Sequence, residues 1–333
     1  MPRDTLHRLE VLDYHAGGDV SRIVVGGLAP LSGANLLAQA RHLAQKGDAL
    51  RRLLLAPPYG DPTMSVNLVL PPESAAGEAG FLVMEAMGYP AFSGSNAICT
   101  ATALLESGRL PMPAGERRLV LDCPAGPVTL TAVCHNGRVA AVTYDAGLSF
   151  VAARALPFDL PGQGRLLCDL VWSGVFYALV RLESLEGVDL ATLGAAVVAA
   201  APPDLPLRHP ELGPMGPLSF VHFAGPLEKL AAGRFRSRTA SYVHPGVVCA
   251  SPTGTGTSAR LACHGLVGDM EPGDVLETVS PSGACFTGRL VARADGGVRS
   301  AITGRAQPIG RGDILIDHDD PLVRAAGPMP SFQ

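Results

Sequence analysis

Two short stretches of this chain, far apart in sequence, share one local pattern. Residues 90–97 read Pro-Ala-Phe-Ser-Gly-Ser-Asn-Ala, and residues 252–259 read Pro-Thr-Gly-Thr-Gly-Thr-Ser-Ala. In both stretches a proline, a hydroxyl residue and a glycine lead into an apolar run, an arrangement typical of a helix start. Thr253 follows Ser93 by 160 residues, close to half of the 333-residue chain. This spacing favours a chain built from two similar halves.

Such helix starts are suited to binding an anion. The first N–H groups of a helix have no intrahelical partner, and the helix dipole favours negative charge beside them. Two such starts facing each other would hold one carboxylate, with the hydroxyls of Ser93 and Thr253 on either side. That arrangement suits chemistry at the carbon next to the carboxylate. For either residue taken singly, a helix N-cap is the more ordinary interpretation.

Glycine and proline divide the rest of the chain into many short strand-like segments with few helices. The apolar spacing predicts helices over residues 32–45, 96–107, 189–200 and 257–265. Strands are predicted in both halves, among them residues 138–144, 176–181, 241–248 and 275–279. We therefore expect an α/β (α+β) chain of two pseudo-symmetric domains with a ligand cleft between them.

Composition narrows the partners. Hydrophobic residues make up 47% of the chain and charged residues 17%, with a net charge of −4 and no basic stripe. These values indicate a globular enzyme acting on a small molecule, with no nucleic acid and no membrane as partner. Residues 1–10 lack the apolar core of a signal peptide. The seven cysteines form an odd set without a C-x-x-C pair, which indicates reduced thiols in the cytoplasm.

Cofactor chemistry finds little support in the sequence. The chain has only two lysines, Lys46 and Lys229, and both lie in polar segments away from the glycine stretches, which argues against a Schiff-base cofactor. None of the nine histidines has metal-ligand spacing, so a core or surface role is expected for each. Residues 254–259 fit a loose G-x-G-x-x-A pattern, but outside a clear βαβ unit this is weak evidence for a dinucleotide. We expect no cofactor and no metal.

The chain resembles the proline racemase superfamily. Residues 251–260, Ser-Pro-Thr-Gly-Thr-Gly-Thr-Ser-Ala-Arg, are similar to the family's Asp-Arg-Ser-Pro-Cys-Gly-Thr-Gly-Thr-Ser-Ala-Arg motif apart from threonine at the cysteine position. His-Ala-Gly-Gly-Asp at 15–19, Phe176-Tyr177 and Thr-Gly-Arg-Ala at 303–306 resemble further family segments. The resemblance implies a diaminopimelate epimerase-like fold with a curved sheet around a central helix in each domain. The expected domains are residues 1–148 with 319–333, and residues 149–318.

The resemblance also implies a cofactor-free site in which two cysteines exchange the α-proton of proline or hydroxyproline. By this similarity the carboxylate would be held at Gly94, Ser95, Gly254 and Thr255. Ser93 and Thr253 stand at the two cysteine positions, where they are the expected catalytic residues. Ser95 replaces a histidine. Cys249 stands where an aspartate contacts the ring nitrogen, and is taken as a substrate-binding residue.

Three functions stay open. Thr253 resembles the threonine of the trans-3-hydroxy-L-proline dehydratases, so a cofactor-independent hydro-lyase that uses Ser93 as the base is the leading expectation. Dehydration needs only one proton removed from Cα, after which the β-hydroxyl leaves. A 4-hydroxyproline 2-epimerase or proline racemase-type isomerase is the nearest alternative. A non-catalytic carboxylate-binding homologue is the third, because a hydroxyl is a much weaker acid than a thiol. A homodimer is compatible with any of these functions.

Overall fold

The structure is a computed structural model that describes residues 6–162 and 164–332. Residues 1–5, the first half of the segment tested for a signal peptide, lie outside the described residues. The chain divides into two compact units. The first comprises residues 1–92, 96–142 and 305–333, and the second comprises residues 93–95 and 143–304. The domain boundaries expected from the resemblance stay a prediction.

Strands dominate both units. In chain order they are β1 Leu6–Ala16, β2 Asp19–Gly26, β3 Ser65–Leu70, β4 Ala79–Met84, β5 Gly115–Cys123, β6 Gly126–His135, β7 Arg138–Leu160, β8 Gly164–Trp172, β9 Phe176–Arg181, β10 Arg208–His209, β11 Gly213–Pro214, β12 Phe220–Ala224, β13 Glu228–Ala231, β14 Arg234–Val243, β15 Val247–Val248, β16 Val275–Val279, β17 Cys285–Ala294, β18 Gly297–Gly304 and β19 Ala306–Asp317. The helices are α1 Leu36–His42, which continues as a π-helical turn Leu43–Gly47, then α2 Ala49–Leu54, α3 Gly94–Glu106, α4 Leu190–Ala199, α5 Gly254–Val267 and α6 Pro321–Ala326.

The first unit is built on one continuous order of paired strands. β19 pairs antiparallel with β1, and β1 pairs antiparallel with β2. β2 and β3 are parallel, β3 and β4 antiparallel, β4 and β5 parallel, and β5 and β6 antiparallel. An apolar core, mainly of leucine and valine side chains, packs these strands against α1 and α2. Parallel neighbours require a crossover, and helices supply it after β2 and after β4.

The second unit repeats this order. β7, β8 and β9 form antiparallel pairs, β9 and β12 are parallel, and β12 and β14 are antiparallel. β14 and β16 are parallel, and β16, β17 and β18 form antiparallel pairs. β18 also pairs with β7, which closes the strands of this unit into a ring. Helix α4 follows β9 and α5 precedes β16, at the same places as α1 to α3 in the first unit.

One helix in each unit is buried almost completely. In α3 every residue from 96 to 105 is buried, and α5 buries eleven of its residues, from Gly254 to Gly265. Helix α5 packs against β8, β9, β16, β17 and β18. Each of these helices therefore lies in a core, although both also bury polar side chains such as Thr100 and Arg260. The expected fold of two similar α/β units, each a curved sheet around a central helix, is confirmed.

Several predicted boundaries were wrong in an instructive way. Both central helices begin earlier than the apolar spacing indicated, at Gly94 and Gly254, so the glycine stretches form the first helical turns. The predicted helix over 32–45 begins only at Leu36, because the Asn35 side chain accepts a hydrogen bond from the Ala38 N–H and caps the helix there. Among the described residues, no helix is long and apolar enough to span a membrane.

Candidate active site

The start of α5 has an unusual backbone conformation. Thr253 occupies the N-cap position with φ +59° and ψ 129°, a left-handed region that a β-branched residue rarely adopts. Such a conformation costs of order 1–3 kcal/mol and persists where the surroundings enforce it. The Thr253 carbonyl accepts hydrogen bonds from the Thr257 N–H at 3.0 Å and from the Thr257 hydroxyl at 2.9 Å. These bonds hold the strained residue at the helix start.

The Thr253 side chain does not cap the helix; it hydrogen-bonds to the sheet instead. Its Oγ1 lies 2.8 Å from Ser241 Oγ, and Ser241 Oγ lies 2.9 Å from His222 Nδ1. The β12–β14 register sets His222 directly opposite Ser241. Ser241 and His222 are fully buried, whereas Thr253 keeps 8% of its surface exposed. A buried line of three polar groups therefore runs from the sheet to the helix start.

His222 is the inner end of this line. Burial, assisted by the positive charge of Arg260, lowers its pKa to about 3. The imidazole is therefore neutral at physiological pH. In the described part of the chain, its Nε2 atom is buried without a hydrogen-bond partner.

Gly256 makes room for this arrangement. A Cβ atom built on Gly256 would lie 2.3 Å from Thr253 Oγ1, 2.4 Å from His222 Cε1 and 2.5 Å from His222 Nδ1. Separations below 3 Å are far inside van der Waals contact, so any larger residue must displace the histidine or the threonine. The second glycine of the 252–259 stretch is thus required by close packing and not by its backbone angles.

The two glycine stretches meet at one tyrosine of the second unit. A Cβ atom on Gly94 would lie 2.1 Å from the Tyr144 hydroxyl oxygen, and a Cβ atom on Gly254 would lie 2.3 Å from the same oxygen. Tyr144 is fully buried, and that burial raises its pKa well above the usual value. Gly94 and Gly254, both in the second unit, therefore lie against the same phenol group.

The other site residues predicted from the sequence lie within four positions of Gly94 or Thr253 along the chain. The Thr255 hydroxyl lies 2.8 Å from the Tyr177 hydroxyl, and Thr255 keeps 6% of its surface exposed. Ser95 keeps 8%. Cys249 is half-buried and its N–H donates to the Ser241 carbonyl at 2.9 Å, which ties it to the end of β14. Ser93 is half-buried directly before α3.

Sequence reasoning missed Ser241, His222 and Tyr144. His222 was expected to have a core or surface role, and it is a core residue, but nothing in its sequence neighbourhood indicated the bond to Ser241. Only the register of two strands, separated by a further hairpin, brings these two residues opposite each other. Within residues 6–162 and 164–332, no group of three His, Cys, Asp or Glu side chains is placed to hold a metal ion.

Two sheet-and-helix units with the same strand order, and a glycine-rich start on each central helix, define the class of epimerase-like α/β proteins. The chain belongs to the proline racemase family, whose family model matches residues 11–326. The resemblance inferred from the sequence is thereby confirmed.

Three known proteins illustrate this membership. A protein of Marinobacter nauticus is 45% identical, over 96% of this chain and 94% of that protein. The 4-hydroxyproline 2-epimerase of Rhizobium etli is 35% identical, over 94% of this chain and 93% of that enzyme. The crystal structure of a hydroxyproline epimerase from Agrobacterium vitis, with bound trans-4-hydroxy-L-proline, superposes with a TM-score of 0.84 at 31% identity, covering 95% of this chain and 94% of that one. These relatives place the chain in an enzyme family, and two of the three are named epimerases.

Proposed function

We propose that this chain catalyses cofactor-independent proton transfer at the Cα atom of a small hydroxyproline-like imino acid. One observation carries the proposal: Gly94 and Gly254 approach the same Tyr144 hydroxyl, so both helix starts lie at one place. Ser93 and Thr253 directly precede these glycines. The unpaired N–H groups of both first turns would bind the substrate carboxylate.

In this mechanism the alkoxide form of Ser93 removes the α-proton and becomes a hydroxyl, while the carboxylate stays bound. The negative charge that develops on the carboxylate oxygens is stabilised by the same N–H groups. Donors fixed in place before the reaction are worth about 2.7–4 kcal/mol each in well-studied oxyanion holes. Such stabilisation is essential here, since a serine hydroxyl is a much weaker acid than a thiol and needs help to act as a base.

The fate of the planar intermediate distinguishes two reactions. Return of a proton to the opposite face gives 2-epimerisation, which the names of the Rhizobium and Agrobacterium relatives favour. Loss of a β-hydroxyl gives dehydration of trans-3-hydroxy-L-proline, which the threonine at position 253 favours. Epimerisation of 4-hydroxyproline is the first assignment, and dehydration is the second.

Cys249 bears on the choice of substrate. In the resembling family an aspartate at this position contacts the ring nitrogen, and cysteine has no carboxylate to make that contact. A hydrogen bond to a charged group contributes about 1.5–3 kcal/mol. We therefore expect weak binding of cationic imino acids by this chain. A Cys249→Asp variant should lower KM for hydroxyproline at least tenfold.

The test is incubation in D₂O with trans-4-hydroxy-L-proline, cis-4-hydroxy-D-proline and, separately, trans-3-hydroxy-L-proline. Proton NMR distinguishes the outcomes: deuterium at Cα with inversion supports epimerisation, and water loss supports dehydration. A Ser93→Ala variant is the control and should abolish both signals. If no substrate exchanges its α-proton but thermal melting shows stabilisation by these carboxylates, the chain is a binding protein and the catalytic proposal is wrong.

A further inference from the structure

We propose that His222 carries its proton on Nδ1 and, through Ser241, orients the Thr253 hydroxyl as a hydrogen-bond donor toward the bound molecule. His222 and Ser241 are then positioning residues that act through Thr253. The assignment of the bound molecule as substrate rests on the proposed function, whereas the position of the His222 proton does not.

The hydrogen bonds that join Thr253, Ser241 and His222 can be directed in only two ways. Ser241 has one hydroxyl proton and two partners, Thr253 Oγ1 at 2.8 Å and His222 Nδ1 at 2.9 Å. If it donates to one, it must accept from the other. When Nδ1 accepts, both hydroxyl protons point inward and Thr253 presents lone pairs. When Nδ1 donates, both protons point outward and Thr253 presents its O–H. The state of one imidazole therefore fixes the polarity of the whole line.

The surroundings of His222 favour the second arrangement, in which Nδ1 donates to Ser241. The ring is fully buried and neutral, so it carries one proton in all. Across the described residues, Nε2 has no hydrogen-bond partner. A buried N–H without an acceptor is among the rarest features of folded proteins, whereas an unpaired acceptor atom is tolerated more often. The proton therefore belongs on Nδ1, where Ser241 accepts it.

The packing around the line limits rotation of the imidazole ring. Gly256 lies so close to His222 Cε1 and Nδ1 that rotation of the ring within its site has little room. The Tyr177 ring packs edge-on against His222 with the ring centroids 5.6 Å apart. The imidazole is thus held with Nδ1 toward Ser241, and only its protonation is left to be set.

The consequence for Thr253 is a fixed chemical role. In this order its oxygen accepts from Ser241, so its own proton points away from Ser241. In the epimerisation Thr253 gives this proton to the opposite face of Cα, in the dehydration it donates a hydrogen bond to the leaving hydroxyl, and Ser93 is left as the base. No proton leaves His222 in this scheme, because the line transmits orientation and not charge.

The first test measures the His222 proton directly. Protein labelled with ¹⁵N-histidine is examined at pH 7 by two-bond ¹H–¹⁵N correlation, which distinguishes the two neutral tautomers. A His222→Asn variant assigns the signal by its disappearance. The Nδ1–H tautomer is expected; the Nε2–H tautomer or a charged ring would overturn the inference. This result is independent of any turnover.

The second test uses two replacements of His222. Asparagine places an N–H near the Nδ1 position and has no basic nitrogen, while leucine offers no donor. We expect kcat of H222N within about tenfold of the natural chain and kcat of H222L and S241A reduced about 30-fold or more, with smaller changes in KM. Equal loss in H222N and H222L would show that a basic imidazole is needed and would overturn the donor assignment. Asn67→Leu, a buried polar deletion on β3 of the first unit, is the matched control and should leave kcat unchanged.

Discussion

The strand pair β3–β4 of the first unit and the pair β12–β14 of the second occupy the same place in the same strand order, yet they carry different polar groups. Asn67 lies opposite Val83 in the first pair, and His222 lies opposite Ser241 in the second. Asn67 donates from Nδ2 to the Thr100 hydroxyl, in the middle of α3, at 3.2 Å. The His222 line reaches the residue that precedes α5 instead.

This difference shows how the same strand order can support two different roles for a buried polar side chain. In the first unit the buried polar side chain fastens the body of the central helix to the sheet. In the second, the serine on β14 extends the line by one group, so the connection ends at the hydroxyl of Thr253, a residue that is 8% exposed. Valine at the matching position of β4 has no hydroxyl to do so. The chemistry proposed for the site thus depends on two side chains, His222 and Ser241, that the second unit adds to a fold present in both units.

Gly256→Ala is expected to have the largest effect, because the new methyl group would overlap both Thr253 and His222. Overpacking of this kind destabilises by about 1–3 kcal/mol, and displacement of Thr253 should reduce kcat about 100-fold or more. Urea unfolding and steady-state kinetics measure the two effects. Gly312→Ala is the control, since a Cβ there meets nothing within 4 Å. A fully active G256A variant would contradict the proposed line.

Gly94→Ala and Gly254→Ala should each destabilise by up to about 3 kcal/mol through contact with Tyr144. Their rescue by Tyr144→Phe should differ. At Gly254 only the hydroxyl oxygen is closer than 3 Å, whereas at Gly94 the ring atoms Cζ and Cε1 also lie at 2.6 and 2.9 Å. Removing the hydroxyl should therefore rescue G254A more than G94A in a double-mutant cycle. Equal rescue would mean that the two helix starts contact the tyrosine alike.

The stability of the chain should depend on pH through His222 and not through Asn67, which does not titrate. The folded-state pKa of His222 is about 3, below its usual value of 6.5, so the unfolded chain binds more protons between these values. Stability is therefore lost as the pH falls through the unfolded pKa, by about 2 kcal/mol between pH 8 and pH 5. Urea midpoints of the natural chain and of H222N at both pH values test this. The extra acid sensitivity should be absent from H222N, and its persistence there would assign it to other groups.

Thr253→Ser is expected to have the smallest effect. Serine keeps the hydroxyl and removes the β-branch that strains the backbone at φ +59°, so stability should rise by about 0.5 kcal/mol with kcat within about threefold. Thr253→Val is the complementary change, because valine keeps the β-branch and lacks the hydroxyl. An active T253V variant would remove Thr253 from the mechanism.

The sequence predicted the fold of two similar units well, but it did not predict the hydrogen bonds that join His222, Ser241 and Thr253. The glycine stretches and the 160-residue spacing predicted two similar units, and the strands at 176–181 and 275–279 have the predicted bounds. The strand predicted over 138–144 runs on to Leu160, and the one over 241–248 is broken by a turn after Val243. The pairing of His222 with Ser241 and the meeting of both glycines at Tyr144 depend on long-range register, which local patterns do not encode.

The pairing of β18 with β7 affects how readily the protein aggregates through its strand edges. Joining the first and last strands of the ring removes two edges that could pair with a neighbouring molecule, so this half of the protein should resist strand-mediated polymerisation at those strands. The two joining segments lie at opposite ends of residues 143–304. Chains truncated before Gly297 would keep most strands but leave both borders open, and we expect them to aggregate where the intact protein does not.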